Sequence, residues 1–169
     1  RPRSERGEIM KKRLGAWDLG LGGLAVALLV MAAAAHLHAN STVADAAKAG
    51  DLAAVKAMLK QGVDVNSSHG DGMTALHWAA TNGDVALAQM LLAAGANIRA
   101  TTRLGGITPL HMATHAGQAQ VAAALLAAGA DPNLVTATGA TPLMLAARSG
   151  NSETVTRLVE VGADVDAKE

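Results

Sequence analysis

The stretch TPLHMATHAGQAQVAAALLAAGADPN at residues 108–133 decides the fold, because close copies of it stand before and after it in the chain. Its opening letters recur as TALHWAA at residues 74–80 and as TPLMLAA at residues 141–147. Two series of glycines, each spaced by 33, 34 and 33 residues, mark the copies: Gly50, Gly83, Gly117 and Gly150, and then Gly62, Gly95, Gly129 and Gly162. The chain therefore repeats one small unit four times, with a degenerate first copy.

Each copy predicts two short helices that pack on each other. Thr74, Thr108 and Thr141 stand where the first helix begins, because a threonine hydroxyl accepts a hydrogen bond from an unpaired N–H at a helix start. Proline follows at the first helical position in two copies, where its missing N–H costs nothing. Glycines, which tolerate a left-handed backbone, end both helices. Since no unit buries its apolar face alone, stacking makes the core.

These motifs resemble those of the ankyrin-repeat family over about residues 41–169. The resemblance implies an all-α ankyrin-repeat solenoid of helix-turn-helix units, with a β-hairpin finger between units. Because the last residues look like the start of another finger, we expect either further repeats or an end without a polar cap. The repeat domain spans residues 40–169, with units at about 41–66, 67–99, 100–133 and 134–166.

The fingers differ in length. Each tip carries a turn-forming pair, which is Asp71-Gly72, Gly105-Gly106 or Thr138-Gly139. From the glycine that ends a unit to the next helix-capping threonine there are 12 residues in two cases, and 13 in the finger of residues 96–107. The helices keep their length, so this second finger holds the extra residue. Insertions in solenoids gather on loops, often on the binding face.

The resemblance implies a concave surface of fingers and first helices that binds a protein partner. Apolar Leu104 and Ile107 stand near two arginines in the second finger, and exposed apolar side chains at a fingertip are costly without a partner. We therefore expect the recognition hot spot in this finger. The implied partner-binding residues are Asp71, Met73, Thr81, Asn82, Arg99, Arg103, Leu104, Ile107, His115, Ala137, Thr138, Arg148 and Ser149.

Composition narrows the kinds of partner and chemistry. The chain has 169 residues and no cysteine, which excludes disulfides and thiolate zinc sites. Residues 40–169 carry eight basic and eleven acidic side chains, and such a domain lacks the basic patch of nucleic-acid-binding proteins. We expect a protein partner and no nucleic acid.

The motifs that catalysis requires are missing or out of context. A G-x-G-x-x-A pattern at residues 20–25 follows no strand, so it fits a membrane-inserting helix better than a dinucleotide site. His111 and His115 have metal-ligand spacing, but Met112 stands where a zinc protease needs glutamate, and a site needs at least three ligands. We predict no catalysis, no cofactor and no metal.

The first 39 residues have the order of a targeting segment. A basic tail, residues 1–13, ends in Lys11-Lys12-Arg13, and the uncharged apolar residues 19–35 follow within a segment at 14–39. One interpretation is a cleaved signal peptide. A second is a retained transmembrane helix, since about 20 apolar residues span a bilayer, and a third is a merely buried helix. Met10, directly before the basic cluster, is a candidate start of the natural protein.

Two functions remain open from the sequence. The first is a bacterial interaction module that is exported across the membrane and acts in the periplasm, or as a secreted protein, as an adaptor or inhibitor. The alternative is a structural subunit of a larger complex, anchored in the inner membrane with its repeats outside the cytoplasm. Basic residues before the apolar segment favour a cytoplasmic N-terminus, so the repeats cross in both cases. Membrane contact is expected only through residues 14–39.

Overall fold

The computed structural model describes residues 42–168, and the predicted hydrophobic helix of residues 14–39 lies outside them. The described part folds into helix pairs joined by turns. None of its helices has the length and apolar character needed to cross a bilayer. In chain order the helices are α1 (Val43–Lys48), α2 (Leu52–Lys60), α3 (Ala75–Asn82), α4 (Val85–Ala93), α5 (Pro109–His115), α6 (Ala119–Ala127), α7 (Pro142–Ser149) and α8 (Ser152–Glu160).

The helix boundaries confirm the capping signals of the sequence. Thr108 and Thr141 accept a hydrogen bond from the backbone N–H three residues ahead, at the start of α5 and α7. Gly83 and Gly150 end α3 and α7 with φ of 71° and 73°, and Gly117 has φ of 67° just after α5. A side chain with a Cβ atom is strained at such angles, so glycine is required at these turns.

The second helix of each pair begins close to the preceding pair. Asp51, Asp84 and Asn151 accept hydrogen bonds from the first turns of α2, α4 and α8. Asn151 also donates through Nδ2 to the carbonyl of Gly117, at 2.8 Å, across the boundary between two units. Gln118 holds the same position at α6 without capping it. Asn151 therefore fixes both the start of α8 and its position against the preceding unit.

Stacking of like helices builds the core. The first helices pack in the order α1, α3, α5 and α7, and the second helices α4, α6 and α8 pack beside them. One buried cluster extends from α1 to Ala130 and contains the leucines of the central units. A smaller cluster, formed by Ala146, Leu158 and Ala163, holds the last pair. In the part of the chain that the structure describes, the fully buried leucines are Leu76, Leu87, Leu91, Leu110, Leu125 and Leu158.

The fingers are hairpin turns without regular strands, which corrects the predicted β-hairpins. We call residues 63–73, 96–107 and 130–140 the first, second and third fingers. Within residues 42–168, the only bridge of β type joins Ser68 and Thr74. Side chains take the place of further ladder bonds, as when the Thr102 hydroxyl donates to the Leu104 carbonyl and accepts from the Ile107 N–H.

The extra residue of the second finger lies at its tip. The hydrogen bond that closes the first finger joins the N–H of His69 to the carbonyl of Met73, four residues on, and the third finger is closed in the same way. In the second finger the bond runs from Thr102 to Ile107, five residues on. Gly105 and Gly106 both have positive φ there, of 91° and 60°. The added residue thus widens the tip while the base keeps its register.

Neighbouring fingers are joined by backbone hydrogen bonds at their tips. The N–H of Arg103 donates to the carbonyl of Asp71, and the N–H of Ala137 donates to the carbonyl of Gly105, both at 2.8 Å. A Cβ atom on Gly72 would lie 2.9 Å from the backbone nitrogen of Arg103. The first and second fingers therefore approach as closely as their backbones allow.

Candidate protein-binding surface

Two buried histidines connect the first helices α3 and α5 to the fingers that follow them. His111 accepts a hydrogen bond at Nδ1 from the N–H of Thr108, at 3.2 Å. Nε2 must then carry the proton, and it lies 2.8 Å from the carbonyl oxygen of Leu134 in the third finger. His77 makes the same contacts with Thr74 and with the carbonyl of Ile107 in the second finger. Each neutral imidazole thus fixes the base of a finger.

Burial keeps these histidines neutral. Loss of hydration lowers the pKa of His77 and of His111 below the ordinary value, and the backbone carbonyls around each ring offset only part of that effect. Protonation would place a cation among buried groups, and only His77 has a carboxylate, that of Asp71, to stabilise it in part. Both rings are therefore structural parts of the surface and not its titrating groups.

The third full unit lacks this connection. Met144 occupies the histidine position, and its sulfur lies 3.4 Å from the N–H of Thr141, as an acceptor at the helix start. A thioether has no proton to donate to a following backbone carbonyl. The histidine contact therefore repeats in the first and second full units and stops in the third.

A groove opens between the second and third fingers and helices α5 and α7. Its volume is about 300 Å³. Among residues 42–168, the groups that line it are mainly apolar and include no carboxylate. The ten lining residues are Gly105, Ile107, His111, Met112, His115, Thr136, Thr138, Ala140, Leu145 and Arg148.

The groove brings together four of the residues that the sequence implied for partner binding. Ile107 and Thr138 come from the two fingers, and His115 and Arg148 come from the last turns of α5 and α7. Both last-turn side chains are exposed. These four residues come from four separate segments of the sequence, and the fold places them around one groove.

Other implied residues lie on the rim or away from the groove. Leu104 is 84% exposed at the second fingertip, beside exposed Arg103. Asp71 is exposed at the first fingertip, where its carboxylate accepts a hydrogen bond from the Met73 N–H. None of these residues lines the groove. The remaining exposed residues of the implied set are Asn82, Arg99, Ala137 and Ser149.

Two implied residues serve the fold. Met73 is only 8% exposed, so its side chain belongs to the core. Thr81 is half-buried, and its hydroxyl donates to the carbonyl of His77 at 2.9 Å. Motif position alone does not separate such residues from exposed ones.

Sequence reasoning missed the floor of the groove. Met112 and Leu145 lie in the centre of α5 and α7, at the same register as Trp78 in α3. Thr136 and Ala140 complete the wall from the third finger. The sequence does contain a signal for these floor residues. The position directly after the motif histidine or methionine recurs at the repeat spacing and faces the fingers.

The described residues also bear on metal binding. Within residues 42–168, no three histidine or acidic side chains come together as ligands of an ion. His111, one of the pair at metal-ligand spacing, is occupied by Thr108 and the Leu134 carbonyl, while His115 lies on the groove edge.

Comparison with known families identifies the architecture. The family model of ankyrin repeats matches residues 24–102, 43–136 and 101–169, so the chain belongs to the ankyrin-repeat family. Ankyrin repeats are generally non-catalytic modules of protein–protein interaction, and the matched family is not an enzymatic one.

Similar stretches occur in larger proteins. The human mitochondrial disaggregase is 39% identical over 85 residues, which cover 47% of this chain and 11% of that protein. The bovine mitochondrial disaggregase is also 39% identical over 85 residues, which cover 47% of this chain and 12% of that protein. An ankyrin repeat and LEM domain-containing protein 1 homolog from Caenorhabditis elegans is 42% identical over 52 residues, covering 31% of this chain and 7% of that protein. The chain spans about a tenth of these relatives, so the likeness concerns the repeats alone.

Proposed function

We propose that this chain is a non-catalytic adaptor or inhibitor that holds a protein partner in the groove between its second and third fingers. The groove carries the proposal, because it unites an apolar floor, exposed polar edges and residues from two adjacent units. Small concave sites with an apolar lining and a few polar groups are typical binding sites. The exposed Leu104 beside the groove adds an apolar contact for a large partner.

A site-specific cross-linker tests this proposal in cells. A photoreactive amino acid is placed at Leu104, and a matched variant carries it at Gln89, an exposed residue of the second helix α4. We expect a defined cross-linked protein from position 104 and none from position 89. Equal products from both positions, or none from either, would contradict binding at this face.

A double substitution tests the second fingertip. Arg103→Glu with Leu104→Ser reverses an exposed charge and removes an exposed apolar side chain. We expect the cross-link from a reporter at Thr138 to disappear while the helical circular dichroism stays unchanged. Retention of the cross-link would show that the fingertip contributes nothing to the contact.

We further propose that residues 14–39 direct the repeats across a bacterial membrane, so that binding takes place in the periplasm or outside the cell. The basic residues before an uncharged apolar run support this. Fractionation of cells that express the native gene, with the mature N-terminus read by mass, tests it. A soluble periplasmic species that begins near His36 or Asn40 is expected, and a cytoplasmic species with an intact N-terminus would refute export.

The second candidate is a membrane-anchored subunit of a larger complex, and the same apolar run supports it. Residues 19–35 approach the length of a spanning helix, and Trp17 stands at the boundary where aromatic anchors occur. Resistance to carbonate extraction, with residues 10–39 retained in the mature protein, would favour this role over a soluble adaptor. Release into the soluble fraction would exclude it.

A further inference from the structure

The floor of the groove belongs to a row of apolar side chains that repeats from unit to unit. Trp78, Met112 and Leu145 hold the same register in α3, α5 and α7. Consecutive first helices pack on each other, and packed helices lie about 8–10 Å apart. The row therefore presents apolar side chains at intervals of about 8–10 Å to a ligand that runs from unit to unit.

This interval discriminates between ligand conformations. Side chains on one face of a β-strand lie about 6.6 or 13 Å apart, because neighbouring residues alternate between faces. In an α-helix, residues seven apart share a face at about 10.5 Å, so the mismatch grows with each unit. A polyproline II segment has three residues per turn and rises about 3.1 Å per residue, so every third side chain returns to one face after about 9.3 Å. Of the three conformations, polyproline II matches the row.

The third finger supplies a hydrogen-bond donor for such a ligand. A polyproline II backbone makes no internal hydrogen bonds, so its carbonyls need donors from outside. The hydroxyl oxygens of Thr136 and Thr138, both in the groove lining, lie 3.0 Å apart. The Thr136 oxygen also accepts a bond from the N–H of Ala140. Because the two hydroxyls have two protons and share one bond, one proton is left for a carbonyl of the ligand.

An aromatic side chain and an exposed cation stand next to the groove. The ammonium of exposed Lys48 lies 5.1 Å from the centre of the Trp78 ring, so a ligand that reaches this ring displaces only an exposed side chain. Aromatic side chains line many grooves that bind polyproline II segments. Arg103 stands two residues before Gly105 of the groove lining, and within residues 42–168 its side chain forms no ion pair. Its charge complements an acidic residue of the ligand.

We infer that the groove binds a polyproline II segment of a protein partner, with proline at every third position and an acidic residue beside the central proline. This rests on the proposed function and names the chemistry of the partner. One edge of the segment lies along Trp78, Met112 and Leu145, and the acidic side chain, on a second edge, meets Arg103. Proline fixes φ near the polyproline II value before binding, so the free segment loses little conformational entropy.

Synthetic peptides test the inference on the whole chain of residues 1–169, kept in a non-ionic detergent. The probe is fluorescein-labelled GPSAPEAPSAG, read by fluorescence polarisation. Two controls have the same composition: GPSPEPSAAAG has proline at every second position, and GPPPSEASAAG has its prolines together. We expect the probe to bind at least about fivefold more tightly than either control. Absence of probe binding, or equal binding of either control, would overturn the inference. Tighter binding of the peptide with proline at every second position would overturn it in favour of a β-strand.

Two methionines provide matched variants that locate the contact. Met112 lies on the groove floor and Met90 lies on the second helix α4, and both are half-buried and pack against the core. We expect Met112→Gln to weaken probe binding at least about fivefold and Met90→Gln to change it less than about twofold, with helical circular dichroism retained in both. Equal effects would overturn the assignment of the groove, since both variants place the same polar side chain against the core.

The acidic residue is tested by changing both sides of its contact. Arg103→Gln should weaken binding of the probe at least about threefold and leave binding of GPSAPQAPSAG, which lacks the carboxylate, unchanged. Lys60→Gln removes an exposed charge from α2 and should alter neither affinity. An equal loss for both peptides, or for both variants, would overturn the contact between Arg103 and the acidic side chain.

The cross-link from position 104 keeps this inference separate from the proposed function. A defined cross-linked protein together with failure of the probe refutes the polyproline II segment alone. Absence of the cross-link refutes the proposed function as well.

Discussion

The second and third full units follow the same sequence frame, but they are held in different ways. In the second unit, His111 joins α5 to the next finger, and Leu125 belongs to the large cluster that extends back to α1. In the third unit, Met144 makes no such connection, and Leu158 belongs to a cluster of three buried residues. The end of this unit leaves apolar side chains exposed, namely Val159, Val161 and Val165.

This difference shows that a unit takes its stability from its neighbours as much as from its own sequence. Leu125 and Leu158 are equally buried residues at equivalent positions. Helix α6, which carries Leu125, packs against the second helices on both sides, whereas α8 has a described neighbouring pair on one side only. In a solenoid, stability is approximately a sum of unit terms and interface terms. Substitutions at equivalent positions therefore measure the interface terms.

The largest expected effect is at the leucine of the second helix. Leu125→Ala leaves a cavity inside the large cluster and should lower the free energy of unfolding by about 3–4 kcal/mol. Leu158→Ala should cost about 2 kcal/mol, because Leu158 packs in the smaller cluster and leaves fewer buried contacts unfilled. Urea unfolding of both variants measures the difference. Equal losses would show that the two units are supported alike.

The histidine position gives the next effect. His111→Met copies the third unit into the second and leaves the Leu134 carbonyl without its donor, which should cost about 2 kcal/mol. Met144→Leu, the matched change in the third unit, should cost under about 1 kcal/mol, since it conserves volume. Thermal unfolding at pH 7.5 compares the two. A similar cost at both sites would contradict a role for the histidine contact.

The same pair of variants predicts a pH dependence. Burial lowers the pKa of His111 in the folded state, so the unfolded chain, with a pKa near about 6.5, binds protons more readily. The neutral ring therefore makes its full contribution to the free energy of unfolding above that pH. This contribution falls as the pH drops toward the pKa of the folded state, and it changes no further below that pKa. His111→Met should flatten this slope, while Met144→Leu should keep it. An unchanged slope in His111→Met would mean that other groups govern the acid response.

A smaller effect is expected at the turn glycine of the second unit. Gly117→Val places a branched side chain at φ of 67°, which should cost about 2 kcal/mol. Gln118→Val, one residue on, should cost less than about 1 kcal/mol, because the Gln118 side chain makes no capping bond and only a long contact of 3.5 Å with the Thr81 carbonyl. Gly150→Val should match Gly117→Val, since the strain is local to the turn. Equal melting temperatures for the Gly117 and Gln118 variants would contradict the claim that the left-handed backbone at residue 117 requires glycine.

The smallest effect concerns the bases of the fingers. Asn66 and Asn133 each accept a hydrogen bond at 2.7 Å from a backbone N–H of the next finger, and Arg99 holds the equivalent position between them. Arg99→Asn should complete the series and stabilise the interface between the second and third fingers by about 0.5–1 kcal/mol. Asn133→Ala is the reverse change and should cost about the same. Destabilisation by Arg99→Asn would show that, in the longer second finger, residue 99 is out of register with the backbone N–H of the third finger.

The helices and turns follow from local chemistry, which explains why they could be predicted. Thr108 and Gly117 act within a few residues of their own positions, through a hydrogen bond and a backbone angle. The fingers were predicted less well, because a strand needs a partner ladder, and here the Thr102 hydroxyl satisfies groups that strands would pair. Met73 was predicted on the contact surface, but its burial depends on how the finger folds over the helices.

Sequence by itself determined the repeat, the helix pairs and the single added residue, because these depend on spacing and on short-range hydrogen bonds. The groove depended on tertiary structure. Ile107, His115, Thr138 and Arg148 are spread over four segments, and only stacking at a fixed distance brings them around one space of about 300 Å³. Tertiary structure also decided at which of the equivalent positions a side chain contributes much to stability and at which it contributes little. A leucine is buried by the atoms that neighbouring units bring to it, and no single repeat contains that information.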